Sequence, residues 1–170
     1  MAITIIYDPN NYLQTTKKII EEFLQTYFTV ALGYDAEISM VRQQYNTPFS
    51  KPLIRFDILT PSRKDAGSGK AMYDSNTNSD VEPGKVRLGE WRDIVFSILV
   101  ITDKTSGAEF NRDKYSAYLE QMFLQHSCLL GDAGLRRVTI SPPLPMDTEQ
   151  FFQNLHELSV RVEVYFDRSQ

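Results

Sequence analysis

Cysteine occurs once in this 170-residue chain, at Cys128, so no internal disulfide can form and a reducing compartment is expected. Histidine occurs twice, at His126 and His156, and tryptophan once, at Trp91. That inventory is too thin for a metal site built on thiols and imidazoles. His126 and Cys128 look like half of one, but two ligands do not make a site. They read as a helix-end histidine and a small buried thiol. A cysteine–histidine nucleophilic pair would need a third orienting group, and no motif supplies it. No apolar run approaches the roughly 18 residues of a membrane span. The opening MAITIIYDPNN lacks the basic segment and cleavage site of a signal peptide, so synthesis in the cytoplasm is expected. Basic residues are outnumbered, 18 Lys and Arg against 22 Asp and Glu, and the net charge of −4 argues against a general nucleic-acid binder. GSGK at Gly67 to Lys70 looks like a phosphate loop, yet the pattern G-x-x-x-x-G-K-[ST] is not met and no strand-to-helix context surrounds it. No catalytic, cofactor-binding or metal-ligating residue is assigned, and no cofactor is expected.

What the chain does have is a core. Hydrophobic residues make up 42% of it and charged residues 24%, the balance of an ordinary globular domain. The stretch from Trp91 to Thr102 (WRDIVFSILVIT) organises the rest. Ile94, Phe96, Ile98 and Val100 fall on one face of a strand, and Val95, Leu99 and Ile101 on the other, with Ser97 between them. A strand apolar on both faces needs cover on both, which places it centrally, with a helix on at least one side.

Ile3 to Tyr7 is a short β-like run, readable as an edge strand, as an arm pairing with another chain, or as a terminus ordered on its own domain. Asn10 or Asn11 caps a first helix with a stripe at Leu13, Thr16, Ile20, Phe23, Leu24 and Tyr27. Helix is not expected beyond Phe28. Glu37 to Gln44 reads as a short strand or loop. Leu53 to Leu59 alternates, with Ile54, Phe56 and Ile58 inward, Arg55 and Asp57 outward, and Pro61 as its end. Ser106 and Glu109 form a capping-box pair for a second helix running to about His126, with Tyr115, Tyr118, Leu119, Met122 and Phe123 as its stripe. Asp113 and Glu120 read as its solvated face. Arg136 to Ile140 is a short strand, SPPLP an extended link, and Asp147 to Glu149 opens a turn carrying Phe151 and Phe152. Leu155 to Asp167 is the cleanest strand, with Leu158, Val160, Val162, Val164 and Phe166 buried, and Arg161 and Glu163 on a wet or interfacial face.

Residues 61–89 break the pattern, being rich in Gly, Ser, Asn, Asp and Lys. A structureless stretch of roughly 25 residues inside a compact domain is generally functional or disordered, and the plain alternative is a surface hairpin between two strands of one meander. It reads as a loop that orders against a partner subunit through Lys64, Lys70, Tyr73, Lys85 and Arg87. Trp91 stands beside it, at a core edge or at such a contact. The expected fold is a single α+β domain over residues 1–170. It has a mixed, mainly antiparallel sheet flanked by two main helices, a long loop or hairpin between two core strands, and an extended arm at 1–9.

The order of helix, KPLIRF strand, long loop, WRDIVFSILVIT strand, helix, RRVTI, proline-rich link and closing alternating strand resembles tail terminator (tail-completion) proteins of tailed bacteriophages. The resemblance spans about Tyr12 to Phe166 and lies in element order. It implies a structural virion protein of the neck, made in the host cytoplasm, that forms a ring of roughly six subunits. Such a ring caps the tail tube, ends its polymerisation and joins the head connector, and it touches the sheath if the tail contracts. DNA would pass through the lumen without specific binding, which the acidic balance suits. Other readings are another head–tail connector, tail or baseplate subunit, or a small binding module or enzyme with an unrecognised site.

Overall fold

The computed structural model of the chain describes residues 3–31, 33, 36–39, 52–63, 89–103, 108–146 and 153–167. Its centre is β3, Gly89–Asp103, paired antiparallel with β2, Leu53–Arg63, on one side and with β6, Gln153–Asp167, on the other. Ile94, Phe96, Ile98 and Val100 of β3 are fully buried. They line up with Ile54 and Phe56 of β2 and with Leu158, Val160, Val162 and Val164 of β6. Each such side chain contributes about 1.5–3 kcal/mol by leaving water. A parallel β1, Glu37–Ser39, flanks β2, and β4, Arg136–Ile140, flanks β6, giving the order β1-β2-β3-β6-β4. The two-residue β5, Leu144–Pro145, also pairs with β6.

Both helices pack on the same face of this open sheet. Helix α1, Tyr12–Phe23, buries Thr16, Ile19, Ile20 and Phe23. A wide π-helical stretch, Leu24–Ala31, extends it and buries Leu24, Tyr27 and Phe28. Helix α2, Ala108–Asp132, meets them with Leu119, Met122, Phe123 and Leu130 in one continuous core. Aromatic rings tie the two together: Phe23 and Phe123 lie 5.1 Å apart, and Phe28 and Tyr115 5.6 Å apart, in the tilted and edge-on geometries such rings prefer. The molecule is an α+β domain with a mixed, mainly antiparallel sheet and two helices. No helix among the described residues is long and apolar enough to cross a membrane.

Several expectations need correction. Pro61 does not end β2, which runs on to Arg63 through a register shift between Ile58 and Thr60. β1 covers β2 only at residues 53–55, so the strand is an edge beyond that point among the described residues, and an edge tolerates proline. Arg55 does not face water; it is 8% exposed. Leu13 of the first stripe is 36% exposed, and Ile19 takes its place in the core. The first helix continues beyond Phe28 to Ala31 as π-turns. Asn11 precedes α1 without capping its backbone; Asp8 instead accepts from Asn10 N–H at 3.0 Å and starts a short 3-10 turn, Pro9–Asn11. Helix α2 does not stop near His126 but bends there, at φ −116 and ψ 16, and continues to Asp132. Cys128, one helical turn beyond exposed Leu124, is exposed rather than buried. Glu163 is 7% exposed, not wet. The stretch read as a loop over 61–89 gives residues 61–63 to β2 and Gly89 to β3. Ser106 and the turn at 147–152 lie outside the described residues.

The N-terminal run is neither strand nor free arm. Residues 3–8 lie as an extended strap on their own domain, with Ile3, Ile5 and Tyr7 packed against the core. The Glu22 carboxylate of α1 accepts from Thr4 N–H at 2.9 Å, Thr4 Oγ1 at 2.5 Å and Ile5 N–H at 3.0 Å. Tyr7 N–H donates to Ala133 C=O at 3.1 Å, and Tyr7 hydroxyl donates to Tyr165 C=O. The strap therefore joins α1, the turn after α2, and β6.

Candidate interaction face

The sheet face turned away from the helices is where chemistry-bearing side chains collect. Period-2 geometry places Trp91, Asp93, Val95, Ser97 and Leu99 of β3 there, beside Tyr165, Glu163, Arg161, Ser159 and Glu157 of β6. The register sets Asp93 directly opposite Glu163. Like charges so placed repel, and two arginines relieve them. Arg161 Nε lies 3.8 Å from Asp93 Oδ2, and Arg137 Nε 3.3 Å from Glu163 Oε2. Arg137 reaches Glu163 because β4 bulges: Arg136 pairs Glu163 and Thr139 pairs Arg161, so β4 has one residue more than β6, and Arg137 takes φ +47. The carboxylates are shielded, whereas the guanidinium side chains of Arg137 and Arg161 remain 75% and 60% exposed. The face thus presents directional cationic donors above an acidic pair of which Glu163 is buried and Asp93 partly so.

Farther along, Ser97 hydroxyl donates to Glu157 Oε1 at 2.5 Å. Leu99 packs with Leu53 and Ile101 in a small apolar cluster of this face. At the opposite end Trp91 meets Tyr165 edge-on, 5.5 Å between centroids, and Arg136 lies over the indole at 4.8 Å. Trp91 is half-buried, so the indole serves the outer face and the strand edge together. The other residues singled out from sequence, Lys64, Lys70, Tyr73, Lys85 and Arg87, lie outside the described residues.

A second constellation lies on the helix side. Ser116 hydroxyl donates to Arg112 C=O at 2.8 Å, so its oxygen is the acceptor for His156 Nδ1–H at 3.0 Å. His156 Nε2 then faces Asp113 Oδ1 at 3.5 Å, and Arg112 binds the same oxygen through Nε and Nη2, both at 2.9 Å. A serine, a histidine and an aspartate in contact resemble a nucleophilic triad. Ser116 is fully buried, however, and its proton is committed to a helix carbonyl. The arrangement acts as a polar clamp between α2 and β6. Sequence reading weighed His126 beside Cys128, set that pair aside, and missed Ser116 as the partner of His156. The signal was the inward register of β6, which puts His156 in line with Leu158 and Val160. His126 stacks on Tyr27, 5.2 Å between centroids, and Cys128 is exposed beyond it. No group of three or more histidine, cysteine or carboxylate side chains among the described residues is placed to hold a metal ion.

No protein-family model and no curated protein matches this sequence.

Proposed function

We propose that this chain is a structural subunit of a bacteriophage neck, a tail terminator. It closes with further copies into a ring of roughly six on the end of the tail tube. The observation that carries the reading is the one-sided sheet. Both helices cover one face, while the other offers exposed Arg137 and Arg161 and half-buried Trp91 and Tyr165. A mixed apolar and cationic sheet face suits a protein partner better than bulk water. The element order that resembles tail-completion proteins supports the same reading, as does a net charge of −4 for a lumen through which DNA slides. Its partners would be its own copies, the tail tube, the head connector, and the sheath where the tail contracts. The protein acts by position and performs no catalysis.

Electron microscopy of the purified chain, alone and mixed with tube protein, tests this. Rings or capped tubes are expected, and phage lacking the chain should make tails of uncontrolled length. Monomers alone and with the tube, together with tails of normal length in its absence, would overturn the reading.

A further inference from the structure

Helix α2 turns one side to solvent, and much of that side carries no charge. Ala117, Gln121, Leu124, Cys128 and Gly131 are all exposed, Leu124 to 66%. They follow one another at spacings of four, three, four and three residues. That alternation is the seam spacing of helices packed side by side. From Gln121 to Gly131 there is no Asp, Glu, Lys or Arg, in a chain of which 24% is made of those four residues. An exposed helix face ordinarily carries the charges.

Gly131 is a separate observation. It is helical, and a Cβ built on it meets nothing within 4 Å. Glycine inside a helix costs about 1 kcal/mol relative to alanine. No contact among the described residues requires it, and the space beside it is open among them. The ends of the seam also carry opposite charges. Exposed Lys114 stands one seam step before Ala117, and exposed Asp132 follows Gly131.

We propose that this side of α2 is a contact between two copies of the chain, with the helices antiparallel about a two-fold axis. Gln121 then faces Leu124, Ala117 faces Cys128, and Lys114 faces Gly131. The missing side chain of Gly131 lets the lysine stem pass toward the second copy's Asp132. A parallel pairing would instead set lysine on lysine and aspartate on aspartate. The bend at His126 does not end the seam, since Cys128 and Gly131 beyond it are exposed on both flanks of Leu130. A two-fold contact uses the same patch on both copies. It is therefore distinct from the head-to-tail contacts of a ring and does not depend on the ring reading.

Light scattering and oxidative cross-linking test it. At micromolar concentration the wild-type chain should dimerise. Leu124→Glu should weaken that association on the order of ten-fold or more, with the stability of the monomer itself unchanged because the side chain is exposed. Under mild oxidation Ala117→Cys should give a covalent dimer through the facing Cys128, whereas the wild type should not. A monomeric wild type, a Leu124→Glu dimer as strong as wild type, or equal cross-linking through Cys128 alone would overturn the proposal. Rings together with a dimer that Leu124→Glu leaves unchanged would retain the neck reading and reject the two-fold contact. A dimer sensitive to Leu124→Glu that never caps tubes would do the reverse.

Discussion

Tyr7 and Gly134 leave each other no room: a Cβ built on Gly134 would lie 2.6 Å from Cβ of Tyr7, and Gly134 holds φ +101. The turn between α2 and β4 is shaped to receive the strap. Gly134→Ala should destabilise the domain by about 2–3 kcal/mol, combining left-handed strain with the clash. Gly131→Ala, three residues earlier and in open space, should be neutral or stabilising for the monomer. Chemical denaturation of both variants checks the contrast, and equal losses would mean the strap does not rest on Gly134.

The strap should also respond to pH at both ends of the scale. Burial pushes the Glu22 carboxyl up, but hydrogen bonds from Thr4 hydroxyl, Thr4 N–H and Ile5 N–H outweigh it and hold the group below its ordinary 4.5. Its contribution is present above that value and is lost as pH falls through the lower folded one. Burial raises the Tyr7 phenol above its ordinary 10, with Tyr12 and Asp8 adding to the rise and Arg92 opposing it. That contribution is complete below 10 and erodes as pH climbs beyond it. Glu22→Gln should flatten the acid side of the melting profile, and Tyr7→Phe the alkaline side. Unaltered slopes in both variants would show that these contacts do not form in solution.

Val162 is fully buried between β3 and β4 on the helix-covered face. Val162→Asp should abolish folding, since an unpaired buried carboxylate costs several kcal/mol against a total stability of about 5–15 kcal/mol. Arg161, next to it but on the opposite face and 60% exposed in its side chain, should tolerate alanine within about 1 kcal/mol. A soluble, cooperatively melting Val162→Asp protein would reverse the assignment of the two faces.

Strand identity and facing were legible in β3 and β6 because alternation over a dozen residues leaves little choice of register face. What pairing adds was not. The burial of Glu163 follows from its place opposite Asp93 and from the β4 bulge that brings Arg137 over it, and neither shows in a strand read alone. Pro61 looked like a terminator because nothing in a single strand says that it lies at an edge. Cys128 looked buried because the helix was expected to end near His126; it continues to Asp132 and keeps Cys128 on the exposed side that carries Leu124. The Ser116–His156 contact joins residues 40 apart in sequence, across helix and strand, and no local period encodes it.

The connection between β2 and β3 should be dispensable for folding. Arg63 pairs with Arg92, so the chain leaves one strand and returns on the other at the same end of the sheet. Closure cost grows only with the logarithm of length. Replacing residues 64–86 with a short Gly-Asn turn should leave the monomer's melting nearly unchanged. Ring formation or tube capping should fail, because Lys64, Lys70, Tyr73 and Lys85 are removed. A shortened chain that still closes rings and ends tails at normal length would make the segment a passive connector.

The pairing of β3 with β6 runs along all of Gly89–Asp103 and all of Gln153–Asp167. The two central strands are thus separated in the chain by a helix and two short strands. A nascent chain on the ribosome can fold the β2–β3 hairpin early, but the flank of β3 that awaits β6 stays open until residue 167 has emerged. Non-local closure of this kind is slow, and the open flank is a hazard for aggregation while it lasts. A truncated or stalled product would therefore lack the finished sheet, so the order of synthesis itself makes completion of the fold wait for the end of β6.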